Sequence, residues 1–436
     1  MQTVSFEQKV PVVGSYDVVV CGGGPAGFIA AVAAARDGAR TALIEQYGFL
    51  GGMATAGLVA PISVFSYNGE LVIGGIPWEF VKRLEKMGGA LIEQPLHNVA
   101  FDPELYKLCA QHMVLEAGID LFMHSYLTGC HKENGHLRDV TFQNKNGMEA
   151  LEGRVFIDAT GDADLAYMAG VPMQPLGDTP LQPLSYYFCL DGVDTNSELL
   201  QCMHHNQQGV NCQSEPIRAK LLALQKGMDK DMPNFGGPWF CTLLRDRCVA
   251  VNITRAPADA CDNRDFTRAE CALREDIFRL TEILRENFAE FRNCRVSCVA
   301  TQAGVRETRR IKGIHTITAE EYLNATPYPD AVSRGAHPID IHSTQVYRQE
   351  VRFLEKAAYV PYRALVPVGE PNLLAAGRCL SADRQAFASL RVQASAMGIG
   401  QAAGIAASMC ARSGTNVQDA DIASLRAKLK ANGAVI

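Results

Sequence analysis

The chemistry-bearing residues of this chain fall in a few short segments. In His337-Pro338-Ile339-Asp340-Ile341-His342 an extended backbone alternates its side chains with period two, which puts Asp340 and His342 on one face and His337 on the other. An imidazole next to a carboxylate is a reasonable general base for taking the proton of an alcohol or amine while a hydride leaves the adjoining carbon. The competing reading, a purely structural hydrogen-bonded pair, is the commoner fate of histidines. Arg306, Arg309 and Arg310 place three cations within five residues, suited to an anionic substrate, to a diphosphate, or equally to structural ion pairs. His97, just before the segment FDPELYK, is a further pocket candidate. Third and fourth metal ligands cannot be named from spacing, so no metal site is expected.

A different chemistry is written at residues 22–27, Gly-Gly-Gly-Pro-Ala-Gly. The apolar, β-branched run DVVVCG (17–22) precedes this turn and the small helix formers AGFIAAVAAARD (26–37) follow it, so G-x-G-x-x-G stands between a strand and a helix. Gly22 permits the tight turn, Gly24 lets backbone approach a pyrophosphate, and Gly27 lets the helix lie close to the strand. The phosphates would face the helix N-terminus, with its free N–H groups and positive dipole end. A second strand over Arg40–Ile44 ends at Glu45, 18 residues beyond Gly27. A carboxylate there accepts hydrogen bonds from both ribose hydroxyls and repels a 2′-phosphate, which makes NADP the least suitable dinucleotide and leaves FAD and NAD open.

These segments must be positioned by a large body. The chain has 436 residues, a length that fits two to three domains, with 47% hydrophobic and 20% charged residues as in an ordinary globular protein. Lys plus Arg total 41 against 47 Asp plus Glu, giving a net charge of −6, so nucleic acid is disfavoured as a partner. Fourteen cysteines without a CxxC fall far below a disulfide scaffold, at roughly 8–10% Cys, and suggest free thiols in a cytoplasmic setting. The first sixteen residues lack an apolar signal core. Two charge-free stretches, 46–69 and 392–411, are rich in Gly and small residues and read as backbone packed against something large and uncharged rather than as membrane spans. Cys294 and Cys298 are the closest cysteines, a spacing that by itself warrants no disulfide.

Near the other end, NLLAA (372–376) reads as a buried strand ending at Gly377-Arg378, followed by a polar loop and a helix of small residues from about Arg391 to Arg412. A second glycine-marked strand and helix, more than 300 residues after the first, fits a domain split in sequence. With GFLGGMATAGL (48–58), FIDATGDADLA (156–166), GVRETRRIKG (304–313), YVPYRALVP (359–367) and SLRVQASAMGIGQAAG (389–404), the chain resembles the FAD-dependent oxidoreductases of the glutathione-reductase-like flavoproteins, a family found widely in bacterial genomes. The resemblance covers nearly the whole chain. It implies an α/β fold with a Rossmann-like, doubly wound, three-layer FAD-binding domain built from residues 1–170 and 346–436, and an inserted α+β substrate domain at 171–345.

Carried onto matching positions, the resemblance implies that Gly22, Gly24, Pro25, Ala26 and Gly27 hold the FAD pyrophosphate and Glu45 the ribose. Gly51, Gly52 and Met53 pass along the phosphate and flavin, Leu127 offers backbone to the adenine, and Ala159-Thr160-Gly161 form a second turn beside the dinucleotide. Gly377 and Arg378 lie by the ribityl chain, and the helix starting near Leu390, Arg391 and Val392 aims its N-terminus at the flavin. Many relatives carry a histidine after the GRCLSA segment, where this chain has Asp383-Arg384. A fixed cation at Arg384 suits clamping an anion better than moving protons, and pairing with Asp383 or another surface acid is the equal alternative.

The expected function is hydride transfer between a small polar, conceivably anionic, metabolite and flavin N5, with His342 as base beside Asp340 and Arg384 on the substrate. Reduction of an activated double bond is the alternative. A related branch acts on tRNA, against which the acidity of this chain weighs. Expected partners are the small-molecule substrate and an unnamed electron acceptor or donor, with neither nucleic acid nor membrane; a homo-oligomer stays open. In the middle of the chain, Asp102 and Pro103 predict a helix start over 102–117, and Thr267-x-x-Glu270 predicts a capping box before a long amphipathic helix. Residues 231–239 and 324–338 read as loops.

Overall fold

The computed structural model describes residues 3–4, 7–94, 97–177, 179–203, 211–225, 237–343 and 349–436. The predicted loop at 231–239 falls largely outside them. At its centre a strand over Val12–Cys21 pairs in parallel with Thr41–Ile44 on one side and with Gly147–Asp158 on the other. It begins five residues earlier than the apolar run suggests, because Val12 and its neighbours find ladder partners from Ala150 onward. Asp120–Phe122 and Leu373–Ala375 extend the parallel part, and Tyr126–Glu133 and His136–Asn144 add antiparallel strands, making a mixed seven-stranded sheet. In this register Cys21 lies beside both Ile44 and Asp158, and Asp158 beside Ala375. Five strand ends, at Cys21, Ile44, Phe122, Asp158 and Ala375, therefore stop along one edge, and four of the turns that leave it begin at Gly22, Glu45, Ala159 and Ala376. Ligands of open α/β sheets bind outside this carboxyl edge.

Helix Pro25–Arg36 opens on a proline at its first turn and buries every residue from Ala26 to Ala34. A helix apolar all round needs cover on several sides. Helix Gln393–Ser413 provides it, and is buried along most of its length. Gly400 and Gly404 make the fit: a Cβ on Gly400 would stand 2.2 Å from the Ala26 carbonyl oxygen, and one on Gly404 2.1 Å from that of Ala30. This helix is long and apolar enough to cross a membrane by composition, and here it is packed inside the protein.

A second, antiparallel sheet runs in the order Asn211–Gln213, Trp239–Thr242, Cys248–Asn252, Tyr187–Asp191, Arg295–Val299. Helix Asn263–Asn287 supplies Leu273, Ile277, Leu280 and Leu284 to a core shared with Phe188, Val251 and Phe291. Its cap differs from the expected one. Asp262 accepts from the amides of Arg264 and Asp265, while Thr267 donates back to Asn263 O and Glu270 reaches the amide of Ala303. Cys298 sits across the ladder from Cys189, so Cys294 is not its neighbour in the sheet. Ile317, Tyr322, Val332 and Ile339 pack in the first core although they precede residue 345. Within the predicted loop 324–338, Ala331–Gly335 is a strand paired with Ala358–Pro361. The predicted helix 102–117 is present as Pro103–Glu116, capped by Asp102. The predicted loop after Cys379 contains helix Arg384–Leu390.

Gly404→Ala pushes a methyl into a backbone carbonyl and is expected to lower unfolding stability by about 2 kcal/mol or more. Gly414→Ala, where φ is +68° and nothing lies within 4 Å, should cost only about 1 kcal/mol. Urea unfolding midpoints compare the two directly.

Candidate functional site

A cavity of about 330 Å³ opens at the carboxyl edge of the parallel strands, lined by Gly22, Gly24, Pro25, Ala26 and Glu45 from the first two turns. Gly27 lies beneath it rather than in its wall: a Cβ there would come 1.8 Å from Gly22 O, so the residue sets helix against turn. Gly24 is the open position, where an added Cβ meets only Gly52 Cα at 3.8 Å. As N-cap it offers no side chain, and Pro25 has no N–H, so the first turn of the helix faces the cavity without a protein cap. Glu45 is buried, and its carboxylate accepts from the amides of Gly23 (2.7 Å) and Tyr47 (2.9 Å). Burial outweighs these donors and raises its pKa to about 7. A pair of ribose hydroxyls arriving there would supply the missing donors.

The third turn is held by Asp158, fully buried at the end of its strand. It accepts from the amides of Thr160 (3.1 Å) and Ala166 (2.9 Å), from the Thr160 hydroxyl (2.8 Å) and from the Cys379 thiol (3.5 Å). This one carboxylate thereby ties Ala159-Thr160-Gly161, which line the cavity, to the turn at Gly377-Arg378, which also lines it. Gly52, Met53 and Leu127 also line this wall, whereas Gly51 does not. The fourth approach is helix Gln393–Ser413, whose N-cap Val392 gives no side-chain bond. Gln393 and Ala396 of its first turn line the cavity, and the buried Gln393 Oε1 and Ser395 Oγ have no protein partner. Two uncapped helix N-termini, an open glycine backbone and a buried carboxylate fit a dinucleotide with its pyrophosphate and a ring bearing polar edges. Leu390, predicted at this helix start, is instead in the core, because helix Arg384–Leu390 ends there and the chain turns before restarting at Gln393.

A second cavity, about 660 Å³, adjoins the first and shares Met53, Arg378, Arg391 and Gln393 with it. Val392 belongs to this second wall alone. Here lie Asp340 and His342, on one face as the alternation predicts, with His342 Nε2 3.2 Å from Asp340 Oδ2. His337 lines the same cavity, contrary to the period-two expectation, because the chain bends at 337 and the strand begins only at Ile339. Its Nδ1–H donates to Pro338 O (2.7 Å), leaving Nε2 as the acceptor. His342 has both nitrogens engaged: Nδ1 is 3.5 Å from Arg255 Nη2 and Nε2 is at Asp340. Burial, then the charge of Arg306, pushes its pKa down to about 3, so it is neutral.

The three arginines of the GVRETRR segment part company. Arg306 lines the second cavity; Arg309 lines the first and pairs with Asp164; Arg310 is fully buried with Glu307 at 3.0 Å. Glu307 also corrects the expectation for Arg384, whose Nε donates to it at 3.2 Å while Nη2 donates to Pro180 O at 2.5 Å. A buried carboxylate captures the nearest cations, so Arg384 lines neither cavity. Nor does Asp383 pair with it, being the N-cap acceptor for Ala386 N (2.8 Å) and a partner of Ala319 N (2.6 Å). His97 is bonded to Ser66 and lines neither cavity. Sequence reasoning missed Arg255, Ser185, Tyr187, Asn252 and Trp239, all from the middle of the chain. No motif marks them; they converge through the second sheet.

In the ligand-free protein Glu45 binds its proton more tightly than in the unfolded chain. Its contribution to stability is complete below pH 4.5 and is lost as pH rises through about 7, a decline of about 3 kcal/mol. Glu45→Gln is expected to flatten the stability profile across that window, as measured by chemical unfolding at stepped pH.

The family described as FAD dependent oxidoreductase matches residues 17–429. Among curated proteins, a dihydrolipoyl dehydrogenase of Trypanosoma brucei brucei is 51% identical over 47 residues, 11% of this chain and 10% of that protein. A digeranylgeranylglycerophospholipid reductase of Methanocella arvoryzae (strain DSM 22066 / NBRC 105507 / MRE50) is 29% identical over 178 residues, 36% of this chain and 42% of that one. The chain thus spans between a tenth and about two fifths of the length of these relatives. Among solved structures, a geranylgeranyl bacteriochlorophyll reductase-like protein from Thermoplasma acidophilum has a TM-score of 0.48 at 14% identity, covering 96% of this chain and 83% of that one. With a dinucleotide cradle at one sheet edge and a family match over almost its whole length, the chain belongs to the FAD-dependent oxidoreductases and is an enzyme that uses FAD.

Proposed function

We propose that this enzyme, a glutathione-reductase-like flavoprotein, transfers a hydride between a small polar metabolite in the second cavity and FAD laid along the first. Bound FAD supplies the redox chemistry, exchanging a hydride at its flavin ring. The observation that carries the reading is the common wall of Met53, Arg378, Arg391 and Gln393, which makes one end of the cofactor site the floor of the substrate space. In this reading residues 1–170 and 346–436 hold the cofactor, and the inserted part between them contributes Ser185, Tyr187, Trp239, Asn252 and Arg306 to the substrate wall.

His337 takes the role of proton acceptor that the sequence gives to His342. Among the described residues its Nε2 has no hydrogen-bond partner, and burial lowers its pKa, keeping it neutral and able to receive a proton. His342 orients: it donates to Asp340 and stands against Arg255, and Asp340 in turn accepts from Gln349 at 2.9 Å. Trp239 donates to the same Gln349 at 2.9 Å and, with Val351, lines the cavity. The opposite direction, hydride delivered to an activated double bond, is favoured by the similarity over 178 residues to a protein named as a reductase.

Anaerobic mixing tests both. Bleaching of the oxidised enzyme by alcohols or amines supports the first direction, reoxidation of pre-reduced enzyme by enoates the second, and inertness to all three classes would sink the proposal. His337→Gln is expected to slow the reactive class by about 10²- to 10⁴-fold with the bound-flavin spectrum unchanged. His342→Gln should cost less.

A further inference from the structure

We propose that the metabolite is an organic acid carrying two carboxylates, bound by the cluster of Arg306, Arg391 and Arg255. The inference rests on the second cavity being the substrate space. Arg306 and Arg391 line that cavity, and Arg255 stands directly behind, joined to Arg306 through one hydroxyl: Ser185 Oγ accepts from Arg255 Nη1 at 2.8 Å and from Arg306 Nη1 at 2.7 Å. Two guanidinium groups meeting at one neutral oxygen repel each other.

Their protein partners do not balance them. Arg306 donates further to Pro183 O (2.7 Å), Arg255 to Asn252 Oδ1 (2.6 Å) and Thr254 O (2.7 Å), and Arg391 to Asp340 O (3.2 Å). Every one of these acceptors is an uncharged oxygen. Among the described residues none of the three arginines forms an ion pair, and the buried Nε atoms of Arg255 and Arg391 have no partner. Arg310 shows what a structural arginine at similar depth receives in this protein, a carboxylate at 3.0 Å from Glu307. Asp340 is the acid whose charge acts on all three; Glu307, which also acts on Arg391, is paired with Arg310 and Arg384, and Arg378, on the shared wall, is matched by Asp162 at 2.8 Å. Three cations facing one carboxylate leave a site that two further negative charges would neutralise. Arg391 stands on the wall shared with the cofactor cavity, but Arg306 lines only the second cavity and Arg255 lies behind it, so the cofactor does not meet the need of these two. The planar fork of arginine matches carboxylate oxygens, and a hydride donor or acceptor must be built on carbon, so carboxylates on a carbon chain satisfy both demands.

The test titrates the yellow holoprotein with malonate, succinate and glutarate, following the flavin absorption spectrum, with butyrate and inorganic phosphate as comparators. At least one dicarboxylate should bind saturably and about tenfold or more tighter than butyrate or phosphate. Arg306→Gln should weaken it by about tenfold or more, and Arg306→Lys should recover part of the loss, both with an unchanged flavin spectrum. Dicarboxylates no better than butyrate, phosphate equal to the best of them, or an indifferent Arg306→Gln protein overturns the inference. The comparison among ligands stands on the parent protein even where a variant does not fold. A colourless protein brings down the functional reading along with it, whereas a yellow protein deaf to every dicarboxylate brings down the inference alone.

Discussion

Gly400 and Gly404 rest against the carbonyl oxygens of Ala26 and Ala30 at distances that admit no side chain, and this backbone contact joins two helices that are hundreds of residues apart in sequence. Both helices start at the carboxyl edge of the same parallel sheet, and both start without a side-chain cap. Because the helices touch along their lengths, their open N-terminal turns converge on one cavity. A side chain wedged between them would separate the two turns and remove the convergence of dipoles that an anionic cofactor needs. The charge-free composition of residues 392–411 follows from this packing: small residues are what allow a helix to be buried at such close range.

Around that contact, buried carboxylates assign the arginines. Asp158 knots two of the four turns together, Glu307 takes Arg310 and Arg384, and Asp162 takes Arg378. In a low-dielectric interior a buried cation without an acid beside it is costly. Among the described residues, Arg306, Arg255 and Arg391 line or back the second cavity without an ion pair. They stand where the proposed substrate space meets the cofactor wall, beside a histidine pair whose members differ in what their nitrogens touch. His342 is spent on Asp340 and Arg255; among the described residues His337 Nε2 has no partner.

The strand, turn and helix at 17–37, the acidic residue Glu45 and the helix capped by Asp102 were legible because each depends on contacts within a few residues, through propensity, glycine conformation and capping. The pairing of Asp340 with His342 was legible for the same reason, a period of two in one strand. Misreadings fall where a distant partner intervenes. Arg384 carries no local mark of Glu307, which lies 77 residues away and captures it. The supposed capping box at Thr267 yields to Asp262, and Glu270 is drawn to Ala303. A bend before Ile339 turns His337 into the cavity that strict alternation denied it.

By itself, then, the amino-acid order determined that both ends of this chain carry glycine-marked strand-to-helix turns suited to a dinucleotide, since such turns are specified by backbone sterics at consecutive residues. Only the tertiary structure decided which cations and which histidine nitrogen lack a partner among the described residues, and that Ser185 and Asn252 share a wall with Arg306 and Arg391, backed by Arg255. Electrostatic pairing in the interior is settled by distance in space, and sequence separation carries no information about it.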